Sequence, residues 1–193
     1  KKVLGNDLSR LKEIELLSCG TSSPDQVMPA HGVMVHGLLP EMNPVEVVSP
    51  AGVCCAGMHA LKYAYLSIKS GEVHKAVATG SERFSISLVS SVFEDEAHHL
   101  VALEENPYIS FEKEFLRWML SDGSAAFLMS DKPNPEGLSL KVEWLEGFSF
   151  ANTMESCMYS AAEKQADGSL KSYMEFAPED IMHKSILSIK QDV

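Results

Sequence analysis

The chain has 193 residues, 45% apolar and 22% charged, with a formal charge of −11. That is one large domain's worth of polypeptide, ample for a core, and its acidic balance argues against nucleic acid, which requires clustered Lys and Arg. No run reaches the roughly 18–20 apolar residues that cross a bilayer, no signal-like start is visible, and four cysteines without regular spacing build neither a disulfide framework nor a zinc set, so a reducing cytoplasm fits.

Leu8–Glu13 reads as helix or loop, and residues 14–20 (IELLSCG) as a buried strand ending at Gly20-Thr21. Thr21-Ser22-Ser23-Pro24-Asp25 is a turn cluster. Pro29 suits a helix start, with Val33, Val35 and Leu38 in a short helical segment. The β-branched run Val45, Val47, Val48 predicts a second buried strand, broken by Ser49-Pro50-Ala51-Gly52. From Cys55 or Ala56 onward, Met58, Leu61, Tyr65 and Ile68 recur at helical steps, and Ser70-Gly71 closes that helix. Residues 73–79 (VHKAVAT) form a third strand, ended by Gly80-Ser81-Glu82. Strands alternating with helices predict crossover units and a largely parallel sheet.

Residues 85–117 interrupt this rhythm with a carboxylate- and histidine-rich stretch, read as an inserted, partly helical excursion with a solvated acidic face. The sheet resumes at 125–129, after the turn Asp122-Gly123-Ser124. Residues 131–137 form a loop, 138–148 one or two further strands, and 152–172 a polar surface loop or flap. Pro178 starts a final helix over about 178–190, in which Ile181, Met182, Ser185, Ile186 and Ile189 share a side. Lys1-Lys2-Val3 opens without methionine and the last helical pattern has no stop, so both ends read as cut.

Chemistry concentrates at Cys54 and Cys55, at the mouth of the predicted 55–70 helix. A thiol in a first helical turn meets unpaired backbone N–H groups and the positive end of the helix dipole, which favour the thiolate. The local pattern leaves two readings open: a nucleophile, or a small buried core residue.

Three ordered segments extend this reading. GTSSPDQVMPAHG (20–32), VVSPAGVCCAGMHALKYAYLSIKSGEVHKAVATGSE (47–82) and LSDGSAAFLM (120–129) together resemble the N-terminal half of the β-ketoacyl-acyl-carrier-protein synthase III family, within the thiolase-like condensing enzymes. They match its loop before a helix, its nucleophile elbow and its Gly-Asp-Gly strand entry. The likeness covers most of residues 14–130 and, faintly, the 174–189 segment.

The resemblance implies one thiolase-like N-terminal α/β domain over 1–193. It would hold a mostly parallel mixed sheet, a buried nucleophile helix, flanking helices, an insertion at 85–117 and a linking helix near 178–190. It implies a ping-pong acyltransferase in fatty-acid or polyketide-type synthesis: Cys55 takes an acyl group from a thioester, and a malonyl or β-ketoacyl thioester then condenses with it. Cys55 falls on the catalytic cysteine and its N–H on half an oxyanion hole, whereas Cys54 falls on a packing residue. Met28 falls on a position that lines the partner's acyl pocket across a dimer, with an ordinary packing role as the alternative. Glu82 orders a strand end near the dimer interface.

No cofactor or metal is implied; acyl-coenzyme A and acyl-carrier protein are the substrates and partners, in a homodimer without nucleic acid or membrane. The family's His and Asn lie in its C-terminal half, so a missing half of the same enzyme is a further implied partner. The chain alone should not decarboxylate malonyl thioesters. The charge of −11 sits awkwardly with anionic substrates. Rival readings are another thiolase-superfamily synthase, of the hydroxymethylglutaryl-coenzyme A or chalcone type, and a non-catalytic partner subunit.

Overall fold

In the computed structural model, residues 2–5, 7–89, 118–154, 158–160, 162–172 and 187–189 are described. The chain divides into two compact units, one of residues 1–84 with 122–146 and one of residues 85–121 with 147–193.

The first unit is built on a four-stranded sheet in the order β2-β1-β3-β4. Its strands are β1 (Leu16–Gly20), β2 (Glu46–Val48), β3 (Lys75–Glu82) and β4 (Gly123–Ser130). β2, β1 and β3 run parallel and β4 pairs antiparallel with β3. Helix α1 (His31–Gly37) connects β1 to β2, and α2 (Ala56–Ser70) connects β2 to β3, since parallel neighbours need a crossover. β1 is buried at every position, which is why it reads as a continuous apolar run.

The period-two alternation of the strands sends side chains into two clusters. Leu16, Ala76 and Ala78 pack with Val73 and Ala64 under α2. Leu17, Cys19 and Val77 point the other way, against Leu4, Leu11, Ile14 and Met42. Residues Leu8–Glu13 take the helical option as a 3-10 helix, capped by Asp7, which accepts from Ser9 N at 3.0 Å. Gly71 stops α2 as the spacing predicts: at φ +81° it donates its N–H to Ile68 O at 3.0 Å.

Several expectations are corrected. α2 is not a buried helix. Its covered side is the alanine row Ala56, Ala60 and Ala64, while Met58, Tyr63 and Leu66 are exposed. Leu61 and Ile68 only flank the core. Gly80-Ser81-Glu82 does not end β3; the strand runs through it because β4 pairs with it in register, Gly80 to Ala125 and Glu82 to Gly123. Gly123 and Ser124 are accordingly strand rather than turn. Residues 138–148 contain no strand. Leu138 is 89% exposed and Leu140 85%, and alternation of apolar residues confers strand capacity only where an edge is there to pair with.

In the second unit, β5 (Met158–Ser160) pairs antiparallel with β8 (Leu187–Ile189), and β6 (Ala162–Lys164) with β7 (Leu170–Ser172). Strands therefore replace the loop expected over 152–172. The missed signal is Asp167-Gly168, a hairpin dipeptide. Gly168 has φ +86°, Gln165 N donates to Ser169 O at 2.9 Å, and Asp167 accepts from Ser169 N, also at 2.9 Å. Residues 187–189 are strand where a helix was expected, because their apolar spacing suits either period and pairing with β5 decides. The remainder of that helix, 178–186 and 190, and most of the insertion, 90–117, lie outside the described residues.

One core position is imperfect. Ser18, fully buried in β1, has a hydroxyl without a hydrogen-bond partner among the described residues. Ser18→Ala removes that desolvated group and is expected to stabilise the fold by about 1 kcal/mol; an unchanged or lower urea midpoint would show that the hydroxyl is satisfied.

Candidate active site

The mouth of α2 is placed by residue size. Along the sheet face beneath it, side chains shrink from Leu16 to Ser18 to Gly20 on β1, and from Ala76 and Ala78 to Gly80 on β3, in register. The helix presents Ala64, Ala60, Ala56 and Gly57 in the same direction. Contact is therefore tightest at the N-terminal end of α2. A Cβ on Gly20 would run into the backbone carbonyl of Ala56 and come within 2.7 Å of Gly57 N. A Cβ on either Gly57 or Gly80 would stand 3.3 Å from the other residue's Cα. At Gly20 only glycine permits this approach, while a methyl group at Gly57 or Gly80 would need its neighbour to give by a few tenths of an ångström.

Immediately before this seat the chain turns sharply. Gly52 has φ +149°, and Val53, a β-branched residue, has φ +48°. A left-handed valine is strained by about 1–3 kcal/mol. Val53–Cys55 then forms one 3-10 turn, and Cys55 occupies the N-cap position of α2. Both Cys54 and Cys55 are free thiols exposed to solvent. Cys54 is therefore not the packing residue expected. The third described cysteine, Cys19, is buried on β1, and burial pushes its thiol up despite a hydrogen bond with Thr79. Among the described cysteines, the two at the helix mouth are the solvent-accessible ones.

The turn has a cost for the expected oxyanion hole. Cys55 N donates to Gly52 O at 2.9 Å, and Ala56 N donates to Val53 O. The 3-10 turn continues the helical bonding pattern one step back and so occupies these donors. His59, one turn into α2, reaches back over the loop: its Nδ1 lies 2.9 Å from Ala51 O. The sequence pattern alone gave no sign of this contact.

A second group of polar side chains gathers at the C-terminal ends of the parallel strands, around an open crevice of about 400 Å³ lined by Thr21, Ser23, His31, Ser81, Glu82 and Ser124, among others. Glu82 is its centre. It accepts from Ser22 N at 2.7 Å and from Ser23 Oγ at 2.6 Å. Ser23 Oγ in turn accepts from Arg83 N at 3.1 Å. Partial burial pushes the Glu82 carboxyl up, but the bonds from Ser23 and Ser22 outweigh it, and the net shift is downward. Glu82 thus orders the strand end, as its place in Gly-Ser-Glu suggests. Met28 projects from the loop between β1 and α1 and is 83% exposed, so packing within the described residues is not its role. No group of three His, Cys, Asp or Glu residues is arranged to hold a metal among the described residues, and none of their helices is long and apolar enough to cross a membrane.

The fold is thiolase-like over part of the chain. Cerulenin-bound OleA of Xanthomonas campestris superposes on 62% of this chain and 34% of its own, with TM-score 0.52 and 23% identity. 3-Oxoacyl-[acyl-carrier-protein] synthase III of Aquifex aeolicus covers 84% of this chain and 42% of its own, at TM-score 0.44 and 15% identity. In sequence, the chain is similar to β-ketoacyl-[acyl-carrier-protein] synthase III of Neisseria gonorrhoeae, 29% identical over 85 residues. That match takes in 44% of this chain and 27% of the relative, so the likeness spans about a quarter of the curated protein's length. No protein-family model matches the chain.

Two outcomes follow from the geometry. Gly20→Ala drives a methyl group into the Ala56 carbonyl and is expected to cost about 3 kcal/mol, the upper end of overpacking. Gly37→Ala, with open space around it, should leave the urea midpoint unchanged; equal effects of the two would refute the close seat. Glu82, its carboxyl held below the ordinary glutamate value, contributes stability at neutral pH that is lost as pH falls from that value through the lowered one. The gap in urea midpoint between the native chain and Glu82→Gln should therefore be full at pH 7 and close in acid.

Proposed function

We propose that the chain is the acyl-accepting part of a β-ketoacyl synthase III-like acyltransferase, with Cys55 as the nucleophile. The observation that carries this reading is a free, exposed cysteine at the N-cap of α2, seated on paired glycines and reached through a strained turn. The likeness to synthase III over 85 residues supports it.

In the first half-reaction the Cys55 thiolate attacks the carbonyl carbon of an acyl thioester. A bond forms from Sγ to that carbon, and the carbon–sulfur bond to the donor breaks. The donor leaves as its thiolate, and Cys55 holds the acyl group. In the second, a carbanion forms from a malonyl thioester by release of CO2, or from a β-ketoacyl thioester by loss of its acidic C2 proton to a solvent base. The carbanion attacks the acyl carbon, and the Cys55 thiolate departs. The resting bond from Cys55 N to Gly52 O must open before that N–H can face a tetrahedral oxyanion, where a preorganised donor is worth several kcal/mol.

Acyl-coenzyme A and acyl-carrier protein are the proposed thioester carriers, and no bound cofactor is required. A homodimer is proposed in which the exposed Met28 reaches the partner's acyl pocket. Reduced thiols at 54 and 55 suit a reducing compartment such as the cytoplasm.

The engaged Cys55 N–H favours a second reading, a non-catalytic subunit that pairs with an active synthase. Incubation with a chain-length series of acyl-coenzyme A donors, followed by intact-mass and peptide mapping, separates the two. A mass increase equal to one acyl group on the Cys55 peptide, lost in Cys55→Ala and kept in Cys54→Ala, is expected. Absence of any adduct on the folded protein would sink the nucleophile and leave the partner subunit. The preferred chain length separates the synthase III branch from other condensing enzymes.

A further inference from the structure

The turn that presents the cysteines is held from two directions. From its own 3-10 turn, Cys55 N binds Gly52 O at 2.9 Å. From the helix, His59 closes over the same segment, with Nδ1 at 2.9 Å from the carbonyl oxygen of Ala51. A carbonyl can only accept, so Nδ1 carries the hydrogen and the lone pair of the neutral ring lies on Nε2. The ring also rests directly on Gly52: a Cβ there would stand 2.5 Å from Nδ1 and 2.7 Å from Cε1. Gly52 is thus glycine both for its φ of +149° and for the imidazole above it.

These contacts meet a specific need. Val53 stands at φ +48°, where a β-branched residue does not stay unaided. Strained backbone persists where surrounding groups over-determine it. Ala51 and Gly52 immediately precede Val53, and His59 grips one by hydrogen bond and the other by contact. The grip comes from α2, whose own seat on Gly20 and Gly80 leaves it little play. The cysteine pair follows directly after the strained residue, on the turn that the imidazole pins.

We propose that His59 is the positioning residue of the cysteine elbow. By donating from Nδ1 to Ala51 O and lying against the exposed Gly52, it keeps Val53 left-handed and so aims Cys55, rather than Cys54, toward incoming electrophile. This deepens the reading of Cys55 as acyl acceptor and rests on it, but its test needs no acyl donor.

The test is iodoacetamide labelling of the full chain, with peptide mapping of the ratio of Cys55 to Cys54 alkylation rates. His59→Ala frees the elbow and is expected to lower that ratio about tenfold, the scale on which misplacement by a fraction of an ångström acts. His59→Asn places an amide N–H where Nδ1 stands and should restore the ratio to within about twofold. His59→Gln, whose longer arm carries its amide past Ala51 O, should behave like the alanine variant and stands in for it if that variant does not fold. Unchanged ratios in His59→Ala and His59→Gln, or equal losses in His59→Asn and His59→Gln, would overturn the proposal. Because alkylation involves no thioester, a failed latch is distinguishable from a failed acyl-transfer reading: the first alters nothing in acylation of the native chain, and the second leaves the labelling ratios intact.

Discussion

Everything at the candidate site depends on how closely the N-terminus of α2 approaches the sheet. Gly20 and Gly80 are register partners on adjacent strands, and Gly57 meets Gly80 from above, with the Ala56 carbonyl over Gly20. Side-chain volume falls along the sheet face from Leu16 to Gly20, so the helix leans inward at the end where the thiols stand. Tight packing here transmits position: interiors as dense as organic crystals do not yield by fractions of an ångström without cost. A nucleophile on this helix end therefore has fixed coordinates relative to the strand ends, while its side chain remains in solvent.

That seat explains how two otherwise unfavourable features coexist. Val53 in the left-handed region and Cys55 N–H turned inward to Gly52 O both belong to the short path from β2 to α2. Neither would persist on a mobile loop. They stand between two anchored ends, β2 paired with β1 and α2 seated on glycine, with His59 bridging the gap. The crevice at the strand ends is organised on the same principle: Glu82, at the end of β3, holds the loop after β1 through Ser22 and Ser23. Loops on this side of the sheet are thus tied down by residues that regular structure positions, which is where open α/β sheets carry chemistry.

Much of this was legible from residue order. The β-branched and apolar runs announced β1, β2, β3 and β4, although only β1 is buried throughout; β2, expected to be buried, is partly exposed, and β4 is antiparallel and mostly exposed. Ser70-Gly71 announced the end of α2, because only glycine takes φ +81° without strain. The cysteine pair stood out because a strand, a Pro-Ala-Gly break and an amphipathic helix surround it. The covered face of α2 was misread, since Met58, Leu61 and Tyr65 are larger and more apolar than the alanines that in fact meet the sheet. A glycine-floored sheet selects small residues, and that selection is a property of the facing surface, not of the helix sequence. The alternating 138–148 segment was misread as strand because alternation reports capacity without a partner. The Asp167-Gly168 hairpin was passed over because its flanking strands are short and polar.

The sequence by itself determined the order of strands and helices from β1 to β4, the stop of α2 and the presence of two adjacent thiols at a helix mouth, since these follow from local periodicity and from the conformations single residues permit. Tertiary structure alone decided which face of α2 is buried and that β3 runs through Gly80-Ser81-Glu82 to pair with β4. It also decided that Cys54 is exposed, that the Cys55 N–H is engaged and that His59 sits on Gly52. Each of these depends on which surfaces meet across the fold, and residues far apart in the chain settle that through packing and backbone pairing.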